Sequence, residues 1–490
     1  MLKTIRLEHF KSFEFLDNLT IKPLTILCGV NSGGKSSIIK SLLLLKQSYE
    51  NSLATNEITL NGDYTVNGTM KDVIYKGQGD SFSLRNIFRL EYHGTKYRGE
   101  AKQDLVSARE IGKMLGLLSN NVKCFELEVE CIVRRKHTEG ILESNYISNY
   151  KIYVAPLNKS NELMRDKAFS VQLVFCKNGK GKYDVILENF PSISGGVVNE
   201  KFERCSCYFS GMRLNNLYYQ GNYKSVKMQD FLVNLYSVCR IVANQYDGIK
   251  YLGPLRDTPD RQYAIYKNTT ASTITGAKAP YLLARDEKKR INKKIYPPVM
   301  EDKFGTQINS ENNTVMELVY EWMNYLELGN IEIRNSENAI QLNIGDSNIA
   351  DVGFGVGQAL PILVEGITMN YEQSLLIEQP EIHLHPRMQM RMADFLISLA
   401  STNHNLIIET HSDHIINRIV RRALECKDDS LINNIVIYFV DNVNGQSTVE
   451  EIVIDRVTGI TQCPEAFFGQ FASETNLIVK AGLNNISKGN

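Results

Sequence analysis

The 490-residue sequence predicts an α/β fold: a mixed sheet joined by an antiparallel β layer, with a β-rich insertion and a short helical one. Three observations point there. Apolar Leu24–Cys28 runs into a glycine-rich stretch, Gly29–Ser36, and then into Ser36–Gln47, which reads as a helix. From about residue 56 to 215 the chain breaks into short β-rich segments. From Ile331 to about residue 440, strand-like and helix-like stretches alternate, the logic of a parallel sheet.

Taken in order, residues 1–100 form a first lobe, opened by the strand-like alternation of Met1–Glu8. Residues 101–245 form the β-rich insertion; strands are expected at Phe82–Tyr92, Cys124–Val133, Phe169–Cys176 and Tyr183–Leu187. Asn178, Gly179 and Gly181 mark a hairpin turn between the last two. A helix follows near Met228–Tyr246, and residues 246–265 return to the first lobe's body. Residues 266–330 are a polar and helical insertion. It holds the basic cluster Lys288, Lys289, Arg290, Lys293 and Lys294, and the stripe Val315, Leu318, Val319, Trp322, spaced like one buried helix face. Residues 331–490 form the C-terminal lobe.

Composition narrows the function. Lys plus Arg and Asp plus Glu both number 55, so the net charge is zero and offers no general attraction to nucleic acid or to an anionic membrane. Nine scattered cysteines without a CxxC pair support neither a zinc ribbon nor a disulfide framework. No apolar run reaches bilayer length and the N-terminus does not read as a signal peptide, so a soluble, cytoplasmic protein without membrane contact is expected.

Gly29–Ser36 fits G-x-x-x-x-G-K-[ST], a loop that cradles phosphate. Gly29, Asn31, Ser32, Gly33, Gly34, Lys35, Ser36 and Ser37 are the candidate nucleotide-binding residues. Backbone N–H groups at a helix start favour an anion, Lys35 would reach the β- and γ-phosphates, and the Ser36 hydroxyl would ligate Mg²⁺. Leu375–Glu378 is an apolar strand ending in an acid, the pattern of a Walker B motif; Glu378 is the second candidate Mg²⁺ ligand. ATP and Mg²⁺ are therefore the expected cofactors. His383 with His385, and His411 with His414, lack the further ligands a transition metal needs; His383 and His385 are expected to shape the loop and cap the helix after Glu378.

Three stretches together resemble the ABC-class ATPases, and more narrowly their overcoming-lysogenization-defect (OLD)-like and RecF-like branch, many of whose members serve bacterial anti-phage defence. They are Gly29–Ser37, Leu376–Pro386 and Ile408–His414. Tyr251–Arg256 and the tail Asp455–Phe468 also look like that branch. The resemblance covers roughly residues 1–50 and 245–470, and leaves the β-rich middle unmatched. It implies an ABC-type ATPase head whose sites are completed when two copies pair head-to-head around ATP, as a homodimer or higher oligomer.

Carried to these residues, the resemblance implies further roles. Asp351–Gln358 stands where the ABC signature should be, ahead of a helix over Ala359–Thr368; Gly355, Gly357 and Gln358 would face the γ-phosphate held by the opposite copy. The family's serine near Gly357 is missing. His411 matches the switch histidine, Glu381–His385 match the loop after Walker B, and Arg256 is a candidate charge sensor. Gln379 stands where the family usually has the glutamate that polarises the attacking water. Glutamine can hydrogen-bond that water but cannot take its proton. Three readings fit: a subfamily that hydrolyses slowly with Gln379, Glu381 and His411 as its catalytic set, an engineered Glu→Gln replacement, or a clamp that barely turns over.

OLD nucleases carry a TOPRIM nuclease domain, and no such domain is legible here, so the expected effector is a separate nuclease or toxin. The first functional expectation is an ATP-driven sensor or scaffold controlling that effector. The alternatives are a RecF-like DNA-repair clamp and a non-hydrolysing scaffold. Nucleic acid is a possible partner through Lys288–Lys294, Arg134–Lys136, or Arg418, Arg421 and Arg422, although such charge runs are usually solvated or interface faces.

Overall fold

The computed structural model describes residues 1–51, 56–92, 103–117, 121–136, 144–176, 181–219, 222–264, 274–291, 295–298, 313–335, 338–370, 373–402, 404–426, 429–457 and 459–462. The expected turn at 178–179, Lys293, Lys294 and the tail from Cys463 lie outside the described residues. The chain forms two compact units: Met1–Ile21, Ser36–Tyr251 and Asn370–Leu376 make the first, and Lys22–Lys35, Leu252–Met369 and Ile377–Asn490 the second. Among the described residues no helix is long and apolar enough to cross a membrane.

The first unit is built on a nine-stranded sheet. Its spatial order is Arg213–Tyr218, Val197–Ser210, Lys182–Pro191, Phe169–Phe175, Ser144–Asn158, Val122–Lys136, Ser81–Glu91, Leu2–Phe10, Phe13–Thr20, and all its pairings are antiparallel. Strands from the β-rich middle thus extend the sheet that the N-terminal strands begin. The period-two rule explains one central strand well. Phe125, Leu127, Val129, Cys131 and Val133 are buried, and the intervening Glu126 and Glu128 pair with Arg89 and Arg85 at 2.9 and 2.7 Å. Helix Asn222–Asp247 seals the buried side with Phe231, Leu235, Val238, Val242 and Tyr246. Tyr246 stacks on Tyr49 at 4.6 Å, and the Tyr49 and Tyr150 hydroxyls meet at 2.7 Å.

In the second unit the strands run in the order Asn405–Glu409, Leu24–Gly29, Ile435–Val443, Gln446–Asp455, Gly459–Gln462. The first three are parallel and the last two antiparallel, so the sheet is mixed, as the sequence predicts. Helix Val315–Tyr325 starts at a capping box between Thr314 and Glu317. Its stripe Val315, Leu318, Val319 and Trp322 is fully buried; Trp322 lies 5.0 Å from the Phe395 ring and donates to the Ile295 carbonyl at 3.2 Å.

One expectation is corrected here. Arg418 and Arg422 do not lie on a solvated face. Their side chains are 2% and 0% exposed, and both clamp the carboxylate of Asp394, itself 0% exposed, at 2.8 Å. The Tyr325 hydroxyl donates to the same carboxylate at 2.6 Å. Burying a guanidinium demands a paired carboxylate, so these two arginines are unavailable to nucleic acid. Arg421, exposed and paired with Glu425, does sit on the surface.

Candidate functional site

The phosphate loop begins where the Leu24–Gly29 strand ends and closes into the helix Lys35–Glu50. The tight turn rests on backbone that only some residues adopt: Gly29 and Gly34 have φ of 126° and 112°, and Ser32 has 60°. Gly33 is also required by space, because a Cβ there would come within 2.5 Å of the Val440 carbonyl oxygen. Ser447 tethers the loop from outside, its hydroxyl donating to the Gly33 carbonyl at 2.5 Å. Asn31 and Ser32 are exposed at the tip, with Gly34, Ser36 and Ser37 half-buried.

Lys35 is 3% exposed, and its Nζ donates to the carbonyls of Gly29 and Val30 at 3.1 and 2.7 Å. Burial holds the ammonium below its usual pKa range, against the opposing pull of Glu409 and Cys28. The neighbouring Cys28 thiol is pushed up to about 12, chiefly by burial, so it stays protonated at neutral pH.

Beside the loop the other expected groups gather. Glu378 ends its strand buried, and its carbonyl accepts from Arg256 Nη2 at 2.9 Å. Gln379 turns the chain with a left-handed φ of 49°, its N–H donating to the Glu409 carbonyl at 2.7 Å. Glu381 reaches the switch segment with both oxygens: one accepts from the Thr410 hydroxyl at 2.8 Å, the other from the His411 N–H at 2.7 Å. Burial raises the Glu381 pKa and these donors pull it back. His411 is exposed, and partial burial, then the Lys35 charge, holds its pKa below the ordinary value, so the imidazole is neutral at pH 7. His385 caps helix Pro386–Ala400, accepting from the Arg387 N–H at 3.3 Å, and Ser412 caps helix Asp413–Glu425. Among the described residues no three His, Cys, Asp or Glu side chains gather as a metal cluster.

The signature-like segment differs in its details from expectation. The helix runs Phe354–Thr368, five residues longer at its start than predicted, so Gly355 and Gly357 lie inside it. Gly357 and Gln358 are buried: a Cβ on Gly357 would lie 2.8 Å from the Pro259 ring, and Gln358 Nε2 donates to the Arg256 carbonyl at 3.4 Å. The exposed residues of the segment are Asp351, Gly353 and Phe354, with Phe354 63% exposed and 5.8 Å from the His383 ring.

The residues present suit a triphosphate with Mg²⁺. A buried ammonium, a glycine cradle at a helix start, the Ser36 hydroxyl and the Glu378 carboxylate are the donor set such a group requires. Two participants went unassigned in the sequence reading. Thr410 donates its N–H to the Leu27 carbonyl at 3.0 Å, and Glu409 sits opposite Leu27 in the parallel pairing and is 4% exposed. An acid closing an otherwise apolar strand, Asn405–Glu409, was the available signal.

Residues 257–416 match the AAA ATPase domain family. The matched third of the chain includes Gly355, Glu378, Gln379, Glu381 and His411. Over 187 residues the chain is 24% identical to a DNA replication and repair protein RecF from Lachnospira eligens, an alignment covering 35% of this chain and 47% of that protein. The chain thus spans about half the length of this curated relative. Among solved structures it is similar to an SMC head domain from Thermotoga maritima, at 12% identity and TM-score 0.33, covering 92% of this chain and 98% of that one. It is also similar to an SmcHead bound to the C-winged helix domain of ScpA, at 12% identity and TM-score 0.41 with the same coverages.

Proposed function

We propose that the protein binds ATP with Mg²⁺, pairs two copies around it and hydrolyses it slowly. In this reading the ATP-closed pair is a sensor or scaffold that restrains a separate effector, a nuclease or toxin, in anti-phage defence. The observation that carries the ATP part is the convergence of Lys35, Gln379, Glu381 and His411, the last electrostatically coupled to Lys35. Gly29, Asn31, Ser32, Gly33, Gly34, Lys35, Ser36 and Ser37 hold the phosphates, Ser36 and Glu378 hold Mg²⁺, and the segment of Gly355, Gly357 and Gln358 meets the other copy through its exposed start, Asp351, Gly353 and Phe354. ATP acts as glue because it binds the paired form better than the open one. The defence role is supported by the OLD-like motifs alone.

The test compares the wild type with Lys35→Ala by equilibrium ATP binding and light scattering with and without ATP. Removing a charged donor to phosphate weakens ATP binding at least about tenfold and abolishes ATP-dependent pairing. A Lys35→Ala protein that binds ATP and pairs like the wild type sinks the proposal. Stoichiometric co-purification of a small protein encoded next to this one supports the effector arm.

One finding favours a second reading, a DNA clamp: the similar protein from Lachnospira eligens is named for DNA replication and repair. Exposed Lys288, Lys289 and Arg290 could contribute phosphate contacts. ATP-dependent retention on DNA with a steep salt slope selects this reading over the first.

A further inference from the structure

We infer that Glu409 supplies the carboxylate that Gln379 lacks, taking the proton from the water that attacks the γ-phosphorus. The inference rests on the ATP-binding reading of the same site. Besides Asp413, which starts its helix and whose charge acts on Cys28, three carboxylates lie on the segments that meet beside the phosphate loop. Glu378 ends its strand and is placed for Mg²⁺. Glu381 commits one oxygen to the Thr410 hydroxyl and the other to the His411 N–H, so it positions the switch segment. Glu409 is the third. It ends the strand paired in parallel with the phosphate-loop strand, opposite Leu27 and two residues short of the Gly29 level. Its own backbone carbonyl accepts the Gln379 N–H at 2.7 Å, so the two residues lie back to back on neighbouring segments. Its side chain is 4% exposed and is the foremost charge acting on Lys35. A carboxylate whose charge acts on Lys35, on the residue whose backbone carbonyl holds the Gln379 N–H, is the nearest proton acceptor we assign to a water held by Gln379.

The division of labour is then simple. Gln379 orients the water through its side-chain amide, which can donate and accept but not ionise. The water oxygen bonds to the γ-phosphorus, the bond to the β,γ-bridging oxygen breaks, and ADP leaves with that electron pair. One water proton passes to the Glu409 carboxylate and is returned to solvent when phosphate departs.

The experiment measures steady-state phosphate release, equilibrium ATP binding and the lifetime of the ATP-bound pair in four full-length proteins: wild type, Glu409→Gln, Gln379→Glu, and the double variant. Loss of a general base lowers kcat by about 100-fold or more. The inference therefore expects Glu409→Gln to lose about that much kcat, to keep ATP affinity within about threefold, and to lengthen the lifetime of the pair. It expects the double variant to recover most of the lost turnover, because Gln379→Glu restores a carboxylate to the neighbouring position. A structural partner of Lys35 would instead lose ATP affinity and gain nothing from Gln379→Glu; that result overturns the inference, as does turnover in Glu409→Gln within about threefold of the wild type. Should Glu409→Gln fail to fold by circular dichroism, Glu409→Asp replaces it, with lowered kcat at retained ATP affinity expected and unchanged kcat refuting. A wild type that binds no ATP defeats the underlying reading instead, so the two failures are distinct.

Discussion

Replacing Asp394 with asparagine should be strongly destabilising, although it changes little more than one atom. The carboxylate is 0% exposed and faces two guanidiniums that are 2% and 0% exposed. It accepts from Arg418 Nη2 and Arg422 Nε at 2.8 Å each and from the Tyr325 hydroxyl at 2.6 Å. Asparagine keeps the shape but removes the negative charge that the two buried cations share, although Arg422 keeps Glu425 at 2.6 Å. Breaking a buried pair costs about 3–5 kcal/mol, mostly as the penalty for the stranded charge. Asp394 lies on helix Pro386–Ala400, which follows Glu378–Glu381, and Arg418 and Arg422 lie on helix Asp413–Glu425, which follows His411. The loss should therefore loosen the joint between the two active-site segments. Urea unfolding followed by circular dichroism, with hydrogen exchange of Asp413–Glu425, reads both effects. The triple variant Asp394→Leu, Arg418→Met, Arg422→Leu should recover most of the stability, because apolar replacement of a whole buried network is often neutral or better. A cost below about 1 kcal/mol for Asp394→Asn, or a triple variant no better than the single, refutes the reasoning.

Other outcomes follow from the same geometry. Gly357→Ala puts a methyl 2.8 Å from the Pro259 ring, an overpacking that should cost about 1–3 kcal/mol in urea unfolding. Gln379→Glu alone should raise phosphate release several-fold; unchanged turnover counts against Gln379 holding the water. The His411 imidazole should titrate by NMR below its ordinary value of 6.5, because burial and Lys35 disfavour its charged form. With the folded value lowered, the unfolded chain binds the extra proton first. Stability from this group is then full above pH 6.5 and falls as pH drops toward the folded value, and Lys35→Ala should move the titration upward.

The strand, glycine turn and helix around Gly29–Ser36 were readable because their signals are local: glycines for left-handed backbone and a helix that starts at Lys35. The buried stripe of Val315–Trp322 was readable for the same reason, one period repeated within one element. What escaped was non-local. Val197–Ser210 is a long strand, yet Phe202, Cys205 and Phe209 are among its few buried residues, so no alternation marked it. The start of helix Phe354–Thr368 was missed because Gly355 and Gly357 were assigned to a loop segment ahead of Ala359, whereas the close approach of Pro259 is what calls for glycine at 357. Arg418 and Arg422 looked solvent-facing because their partner, Asp394, lies 24 and 28 residues away on another helix. Glu409 carried a signal, an acid closing an apolar strand, but its meaning depends on the neighbouring strand ends, which no spacing in the sequence reveals.

Lys35 meanwhile spends its charge on its own loop, at the carbonyls of Gly29 and Val30. The ammonium has three N–H donors, so an anion that draws on more than one of them displaces an internal hydrogen bond worth about 1.5–3 kcal/mol. Small free anions such as inorganic phosphate, which offer the lysine little else, should be poor competitors. A triphosphate brings several oxygens at once and can afford the exchange. If the loop binds ATP as proposed, these internal bonds would favour ligands that offer several oxygens at once over inorganic phosphate.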